Sequence, residues 1–162
     1  MESNPELNEQ GMPHFDVEQL RRIACIGDSY AKLTGRTLLQ ANGDFAAALW
    51  AAPFAIVAHG TEQDPIFYFG NRVALKLFEL DFNAFIRLPS RLSAEPRLRD
   101  ERASFLRRVS QIGIIDDYSG VRISATGKRF HIFDGSVWNL TDGAGKAVGQ
   151  AAAFWPPAES PK

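Results

Sequence analysis

Apolar side chains recur at helical spacing in the first third of the chain. The polar residues 1–14 predict a disordered tail, after which Asp16 is placed to cap a helix and Gly35 to end it. A shorter helix is predicted to begin after Asp44 and to end before Pro53, because the residue preceding a proline disfavours helical angles. The first helix has a broad apolar side, which predicts that it packs on a neighbour. That side comprises Val17, Leu20, Ile23, Cys25, Ile26, Tyr30 and Leu33.

Short apolar runs replace the helical pattern in the middle of the chain. Residues 54–58 and 66–69 predict two strands joined by a polar turn. Helices are then predicted over residues 72–80, where Asn71 is the cap, and over residues 95–113. The segment between these two helices is rich in turn-forming residues, so we expect a loop there.

The last third of the chain predicts three strands, over residues 118–125, 129–140 and 148–155. Their short connections predict an antiparallel meander. With the earlier hairpin they give an α+β domain: a five-stranded antiparallel sheet with helices inserted between the second and third strands. We therefore expect an N-terminal helical segment over residues 15–52 and the main domain over residues 53–157.

Two features of these strands leave the direction of their side chains open. Arg122 has the opposite parity to its apolar neighbours in the strand, so it points either into a pocket or to solvent. In the following strand, four large apolar residues share one parity unless a bulge at Asp134 moves some of them to the other face. These residues are Phe130, Ile132, Trp138 and Leu140.

Composition narrows the class of protein. A chain of 162 residues with 45% hydrophobic side chains suits one domain with one core. Its 18 basic and 19 acidic side chains nearly cancel, so we expect neither nucleic acid nor a membrane surface as a partner. Cys25 is the only cysteine, which excludes an internal disulfide framework and predicts a cytoplasmic protein. No apolar run approaches the roughly 18 to 20 residues that span a bilayer.

The sequence shows no catalytic or metal-binding pattern, and we expect no enzyme and no metal site. His14, His59 and His131 have no acidic or histidine partner at the spacing of metal ligands. The motifs of nucleophile elbows, zinc helices and phosphate-binding loops do not occur. No cysteine adduct for a flavin is indicated and no haem-binding histidine stands out, so the cofactor is unknown.

Several separated segments resemble the MEKHLA domain family in the same order. They are APFAIVAHG (52–60), DPIFYFGNRVALKLFE (64–79), LPSRLSAEP (88–96), GVRISATGKRFHI (120–132), VWNL (137–140) and GQAAAF (149–154). The resemblance covers about residues 17–155 and is to bacterial members that consist of this domain alone. It implies a PAS-like fold, in which a sheet and helices enclose a small-molecule pocket. The chain departs from the family at Ala58, where a serine is common, and at Tyr68-Phe69, where an Asn-Tyr pair is usual.

The resemblance places the pocket between the inner face of the sheet and the segment from Asn71 to Glu95. Five side chains that can offer a directional polar group there are the candidate ligand contacts: Tyr68, Asn71, Arg91, Arg122 and Trp138. Three of them have a structural alternative. Asn71 is also a helix cap, Trp138 also a core residue, and Arg91 also a partner for Glu95.

The PAS-like resemblance implies ligand sensing or a regulated interaction, in which occupancy of the pocket alters how the N-terminal helix meets a partner. We also expect a homodimer through residues 17–33, because the apolar side of that helix is broader than one seam against a sheet requires. A structural homodimerisation module with a filled core is the alternative. A small-molecule enzyme in a pocketed α+β fold is a further, weaker alternative.

Overall fold

The computed structural model describes residues 11–93, 107–109 and 111–157. The chain order is α1 (Val17–Thr34), α2 (Phe45–Trp50), β1 (Ala55–His59), β2 (Phe67–Gly70), α3 (Arg72–Phe78), α4 (Phe82–Phe85), a 3-10 helix (Ser90–Ser93), β3 (Ile114–Ile123), β4 (Arg129–Thr141) and β5 (Ala147–Phe154). Most of the helix predicted over residues 95–113 lies outside the described residues, although 107–109 and 111–112 are helical. Residues 1–10 of the predicted tail lie outside them too.

The N-terminal helix α1 begins and ends where the sequence predicts. Asp16 accepts a hydrogen bond from the backbone N–H of Gln19, while the Gln19 side chain accepts one from the Asp16 N–H, which completes a capping box. Gly35 ends the helix in the left-handed region, at φ 72°, and its N–H donates to the Ala31 carbonyl. The helix is therefore held at both ends by its own local sequence.

The five strands form one antiparallel sheet in the order β2-β1-β5-β4-β3. The first hairpin joins the meander through β1, which lies beside β5 in register from Ala55 opposite Phe154 to His59 opposite Gln150. At Gly149 the two strands come so close that a Cβ would lie 2.1 Å from the His59 carbonyl oxygen, so only glycine fits. The predicted α+β class and five-stranded sheet are confirmed.

Both faces of the sheet are covered, and each cover has its own apolar cluster. The inner face packs against α3 and α4, and its cluster includes Val57, Phe67, Phe78, Phe85, Phe130, Ile132 and Phe154. The opposite face, here called the α1 face, packs against α1 and α2, and its cluster includes Ile23, Ile26, Trp50, Ile56, Phe69, Trp138 and Leu140. Because α1 shares a core with β4, the expected segments 15–52 and 53–157 pack as one unit, and the boundary between them stays a prediction.

A bulge in β4 decides which residues reach each face. Asp134 adopts the left-handed conformation at φ 52°. Between the pairs Gly120 with Ile132 and Tyr118 with Gly135, β4 advances three residues while β3 advances two. The extra residue turns Phe130 and Ile132 to the inner face but Trp138 and Leu140 to the α1 face.

No helix within the described residues is both long and apolar enough to cross a membrane.

Candidate functional site

A small cavity lies on the inner face of the sheet, beneath α3 and the 3-10 helix. Its volume is about 40 Å³, which is room for very few water molecules. Aromatic rings occupy much of the surrounding space: Phe67 stacks on Phe85 at 4.4 Å, and Phe78 meets Phe130 edge-on at 5.1 Å. The residues that line it are Val57, His59, Phe67, Phe78, Ser93, Tyr118, Arg122, Ile132, Val137, Gln150, Ala151, Ala152 and Phe154.

Among the described residues that line this cavity, Arg122 is the one arginine or lysine. It pairs across the strands with Phe130, a residue of the inner face, so its side chain points inward and not to solvent. The guanidinium carbon lies 5.4 Å from the centre of the Tyr118 ring, within cation-π range. Burial lowers the pKa of Arg122, while the negative potential and the hydrogen bond of Tyr118 act in the opposite direction.

The guanidinium of Arg122 has no carboxylate partner among residues 11–93, 107–109 and 111–157. Strands β3 and β4 contain three acidic residues, Asp116, Asp117 and Asp134, and all three are exposed. A partly desolvated cation without a counter-ion is costly, because neither water nor a fixed anion compensates its charge. An anion bound in the cavity would supply that compensation.

A row of polar side chains crosses three neighbouring strands beside the cavity. Gln150 lies opposite His59 on one side and Asn139 on the other, and its amide Nε2 donates to Asn139 Oδ1 at 3.0 Å. Asn139 Nδ2 in turn donates to the Val109 carbonyl at 3.0 Å. The row therefore connects the cavity to the segment around residue 109.

Sequence reasoning missed this row and also missed Tyr118. The sequence predicts His59 in the turn between the first two strands. In the structure, His59 is the last residue of β1 and lines the cavity. Gln150 shares its parity with Ala152 and Phe154, so the alternation within GQAAAF was a signal for its direction. Tyr118 gave no comparable signal, because β3 changes register twice around it.

Tyr68 lies on the other side of the sheet from Arg122. It lines a surface groove of about 630 Å³ between α1, the β1–β2 loop and the β4–β5 hairpin. Its hydroxyl donates to the Arg22 carbonyl at 3.3 Å, and the Arg22 guanidinium lies 3.7 Å above its ring. Burial raises the pKa of the Tyr68 phenol, so the hydroxyl stays protonated at neutral pH.

Asn71 and Trp138 are fully buried, and each is bonded within the protein. Asn71 Oδ1 accepts from Ile56 N and Ala74 N, and Nδ2 donates to two further carbonyls. Trp138 Nε1 donates to the Ile26 carbonyl at 3.1 Å. These contacts favour the structural alternatives, a cap for Asn71 and a core position for Trp138, and their ligand contacts stay predictions.

Arg91 lies at the surface. Its Nε donates to both carboxylate oxygens of Asp64, at 3.0 and 3.1 Å, and about half of each side chain is exposed. Asp64 thus takes the place expected for Glu95, which lies outside the described residues. Of the five candidate contacts, Arg122 alone lines the inner cavity.

Nothing in the described part of the chain groups three or more potential metal ligands. Cys25 lies on α1, where its thiol donates to the Thr141 carbonyl at 3.1 Å, so it is on the opposite face of the sheet from the cavity.

The family model described as the MEKHLA domain matches residues 20–156. Among solved structures, the PAS domain of a protein from Colwellia psychrerythraea is similar with a TM-score of 0.59 at 16% identity, covering 71% of this chain and 95% of that one. The dark structure of the blue-light photoreceptor Aureochrome1 LOV has a TM-score of 0.52 at 17% identity, covering 76% and 90%.

A structure from a study of a flavin analogue in a light-oxygen-voltage domain has a TM-score of 0.53 at 18% identity, covering 70% of this chain and 84% of that one. The curated proteins contain no match. At these identities the solved structures show the fold alone, and they confirm that it is PAS-like.

Proposed function

Because the chain belongs to the MEKHLA domain family, we propose that it is a PAS-type sensory domain that binds a small molecule in its inner-face cavity. The PAS-like fold, which the chain shares with a PAS domain and with a blue-light photoreceptor domain, supports this proposal. Arg122 carries the proposal: its guanidinium points into an apolar cavity and lacks a carboxylate partner among the described residues. A core that served only as structure would gain nothing from such a charge.

We propose further that occupancy of the cavity is communicated to the outer surface of the molecule. Two routes lead there from the cavity wall. The polar row His59, Gln150 and Asn139 reaches the segment around residue 109. Strand β5 has cavity-lining residues on its inner side and residues of the α1-face cluster on its other side. A shift of β5 would therefore move the cavity wall and the surface that packs against α1 together.

The partner that α1 meets is, in this proposal, a second copy of the chain. Val17 and Leu20 are exposed by 84% and 44%, although they continue the apolar side that buries Ile23 and Ile26. A symmetric contact through this part of α1 would cover them. The cytoplasmic location expected from the composition stays a prediction.

Flavin, an analogue of which was studied in one of the similar light-oxygen-voltage domains, does not fit this cavity. Pockets for ligands of that size measure roughly 300 to 1,000 Å³, whereas the cavity measures about 40 Å³. Cys25, the only cysteine, lies on the α1 face and cannot reach a ligand on the inner face. The ligand in this proposal is therefore much smaller.

A structural homodimerisation module is the second candidate. The aromatic rings of Phe67, Phe78, Phe85 and Phe130 fill most of the inner face, and a filled core needs no ligand to be stable. This alternative leaves the inward charge of Arg122 without a role. The third alternative, a small-molecule enzyme, gains no support from the described residues that line the cavity, because no aspartate or glutamate is among them.

The test compares the wild-type chain with a variant whose cavity is filled. Ala152 lines the cavity, so Ala152→Leu should occupy it, and Ala144→Leu in the exposed β4–β5 turn is the matched control. Native mass spectrometry and thermal melts with a panel of small metabolites should show binding to the wild type and to the control but not to Ala152→Leu. If all three proteins respond alike to every compound, the cavity is not a ligand site.

A further inference from the structure

We propose, resting on the sensory function above, that the ligand is a short-chain monocarboxylate whose carboxylate group pairs with the Arg122 guanidinium. The planar guanidinium presents a fork of N–H donors that matches the two oxygens of a carboxylate. Its inward direction follows from the strand register, since Arg122 lies opposite Phe130 of the inner face. The ligand's charged group would therefore sit beside β3.

The charge of the ligand follows from the count of cations around the cavity. In the described part of the chain, Arg122 is the one lysine or arginine among the lining residues. One guanidinium neutralises one negative charge, whereas a dianionic phosphate would keep a second charge in apolar surroundings at considerable cost. The geometry thus favours a carboxylate monoanion over phosphate.

The rest of the ligand is apolar and short. The wall beyond Arg122 consists mainly of hydrocarbon, including Val57, Phe67, Phe78, Ile132, Val137 and Phe154. A cavity of about 40 Å³ leaves room for only a few heavy atoms before side chains must move. An acid of about two to four carbons meets both conditions.

Tyr118 helps to position the Arg122 guanidinium for binding a carboxylate. Its ring lies 5.4 Å from the Arg122 carbon, and its hydroxyl reaches back to within 2.6 Å of the position a Cβ on Gly120 would occupy. The ring therefore lies over β3 and limits where the guanidinium can go. This contact restricts the orientations that Arg122 can adopt before a ligand arrives, which lowers the entropic cost of binding.

Calorimetric titration of the full chain with butyrate, with neutral butyramide and with inorganic phosphate tests the inference. Butyrate should bind at least about tenfold more tightly than butyramide, since a charge-assisted hydrogen bond contributes that much. Phosphate should not bind. Equal affinity for butyramide, or preferential binding of phosphate, would overturn the proposal.

Variants assign the effect to Arg122. Arg122→Met should weaken butyrate binding at least about tenfold, and Arg122→Lys should bind with intermediate affinity, because it keeps the charge and loses the fork. Arg129→Met on β4, which changes an exposed arginine of the same hairpin, is the control and should bind as the wild type does. Urea denaturation should show Arg122→Met to be at least as stable as the wild type, so a large loss of stability would instead assign Arg122 a structural role.

The outcomes also separate this inference from the sensory function on which it rests. If no monocarboxylate binds but another compound distinguishes the wild type from Ala152→Leu, the carboxylate inference fails and the sensory function stands. If no compound distinguishes them, both fail.

Discussion

Asn71 is a buried polar side chain whose oxygen and nitrogen atoms both form hydrogen bonds within the protein. Its oxygen accepts from Ile56 N and Ala74 N, and its nitrogen donates to the carbonyls of Leu49 and Phe54. The side chain thereby caps α3 and ties it to the segment before β1. Removing it leaves buried backbone groups without partners, and each such group costs about 1 to 3 kcal/mol.

Asn71→Ala is therefore expected to lower the free energy of unfolding by about 3 kcal/mol or more. Asp81→Ala is the matched control, because Asp81 also caps a helix, α4, but through one bond at the surface, to Ala84 N. The control should lose only about 1 kcal/mol. Urea denaturation of both variants measures the difference, and equal losses would show that the buried bonds add nothing.

Arg91 is a candidate ligand contact that instead forms an ion pair with Asp64 at the surface. Because its ion pair with Asp64 is half exposed, Arg91→Ala should lower the free energy of unfolding by less than about 1 kcal/mol. It should leave butyrate affinity unchanged, since Arg91 does not line the cavity. A thermal melt beside a titration tests both parts, and a loss of affinity with unchanged stability would restore the ligand role.

The directions of the side chains in β4 depend on one extra residue, at the bulge formed by Asp134. The bulge at Asp134 lets Ile132 face inward while Trp138, six residues later, faces α1. Without the extra residue, every side chain on one side of it would change faces. Deleting Asp134 should therefore abolish cooperative unfolding, because either Ile132 or Trp138 would leave its cluster.

Asp134→Gly is the control for that deletion. Glycine keeps the bulge and adopts positive φ without steric cost, so this variant should differ from the wild type by less than about 1 kcal/mol. Circular dichroism during a thermal melt compares the two proteins. A deletion variant that melts as cooperatively as the wild type would show that β4 tolerates a change of register.

The bulge also marks the limit of what sequence can predict here. The alternation of apolar and polar residues predicts the strands. The residues that begin and end α1, Asp16 and Gly35, act through contacts within a few residues of the chain, so they too can be predicted from the sequence. The four apolar residues of β4 have one parity, and sequence alone left both outcomes open at Asp134. The direction of Arg122 depended on pairing with Phe130, which is a long-range contact, so the candidate site could not be assembled from local patterns.

The C-terminus of α3 is joined to the β3–β4 turn by Glu79. This residue ends the helix at φ 59°, and its carboxylate accepts hydrogen bonds from the hydroxyls of Thr126 and Ser124, the latter at 2.8 Å. The bond from Thr126, followed by that from Ser124, lowers the pKa of Glu79 from its ordinary value of 4.5. The ionised form is thus the one that the fold favours.

Glu79→Gln should consequently be less stable than the wild type at neutral pH, with a difference that shrinks in acid. A depressed pKa contributes stability above pH 4.5 that is lost as the pH falls through the folded value. Urea midpoints of both proteins from pH 7 down to about pH 3 measure the trend. A difference that stays constant across this range would show that the charge of Glu79 is not involved.

At the scale of the whole molecule, the sheet lies between two groups of helices, α3 and α4 on the inner face and α1 and α2 on the α1 face. On the inner face, the cavity lies beneath α3 and the 3-10 helix, while α1 covers the other face through Ile23, Ile26 and the hydrogen bond that Trp138 donates to the Ile26 carbonyl. Removing α1 would uncover Trp138 and Leu140, so truncation would test folding and not assembly. A test of the proposed dimer must leave the buried side of α1 intact.

The double variant Val17→Glu, Leu20→Glu meets that condition, because both side chains are exposed in the single chain. We expect a wild-type dimer that buries on the order of 800 Å² per partner, and a monomeric variant, because two carboxylates would be desolvated at a symmetric contact. Gln40→Glu with Gln63→Glu makes the same change of net charge at two exposed positions outside α1 and should stay dimeric. Sedimentation velocity at micromolar concentrations distinguishes these states. A wild type that is monomeric, or a Val17 and Leu20 variant that still dimerises, would remove α1 from the interface.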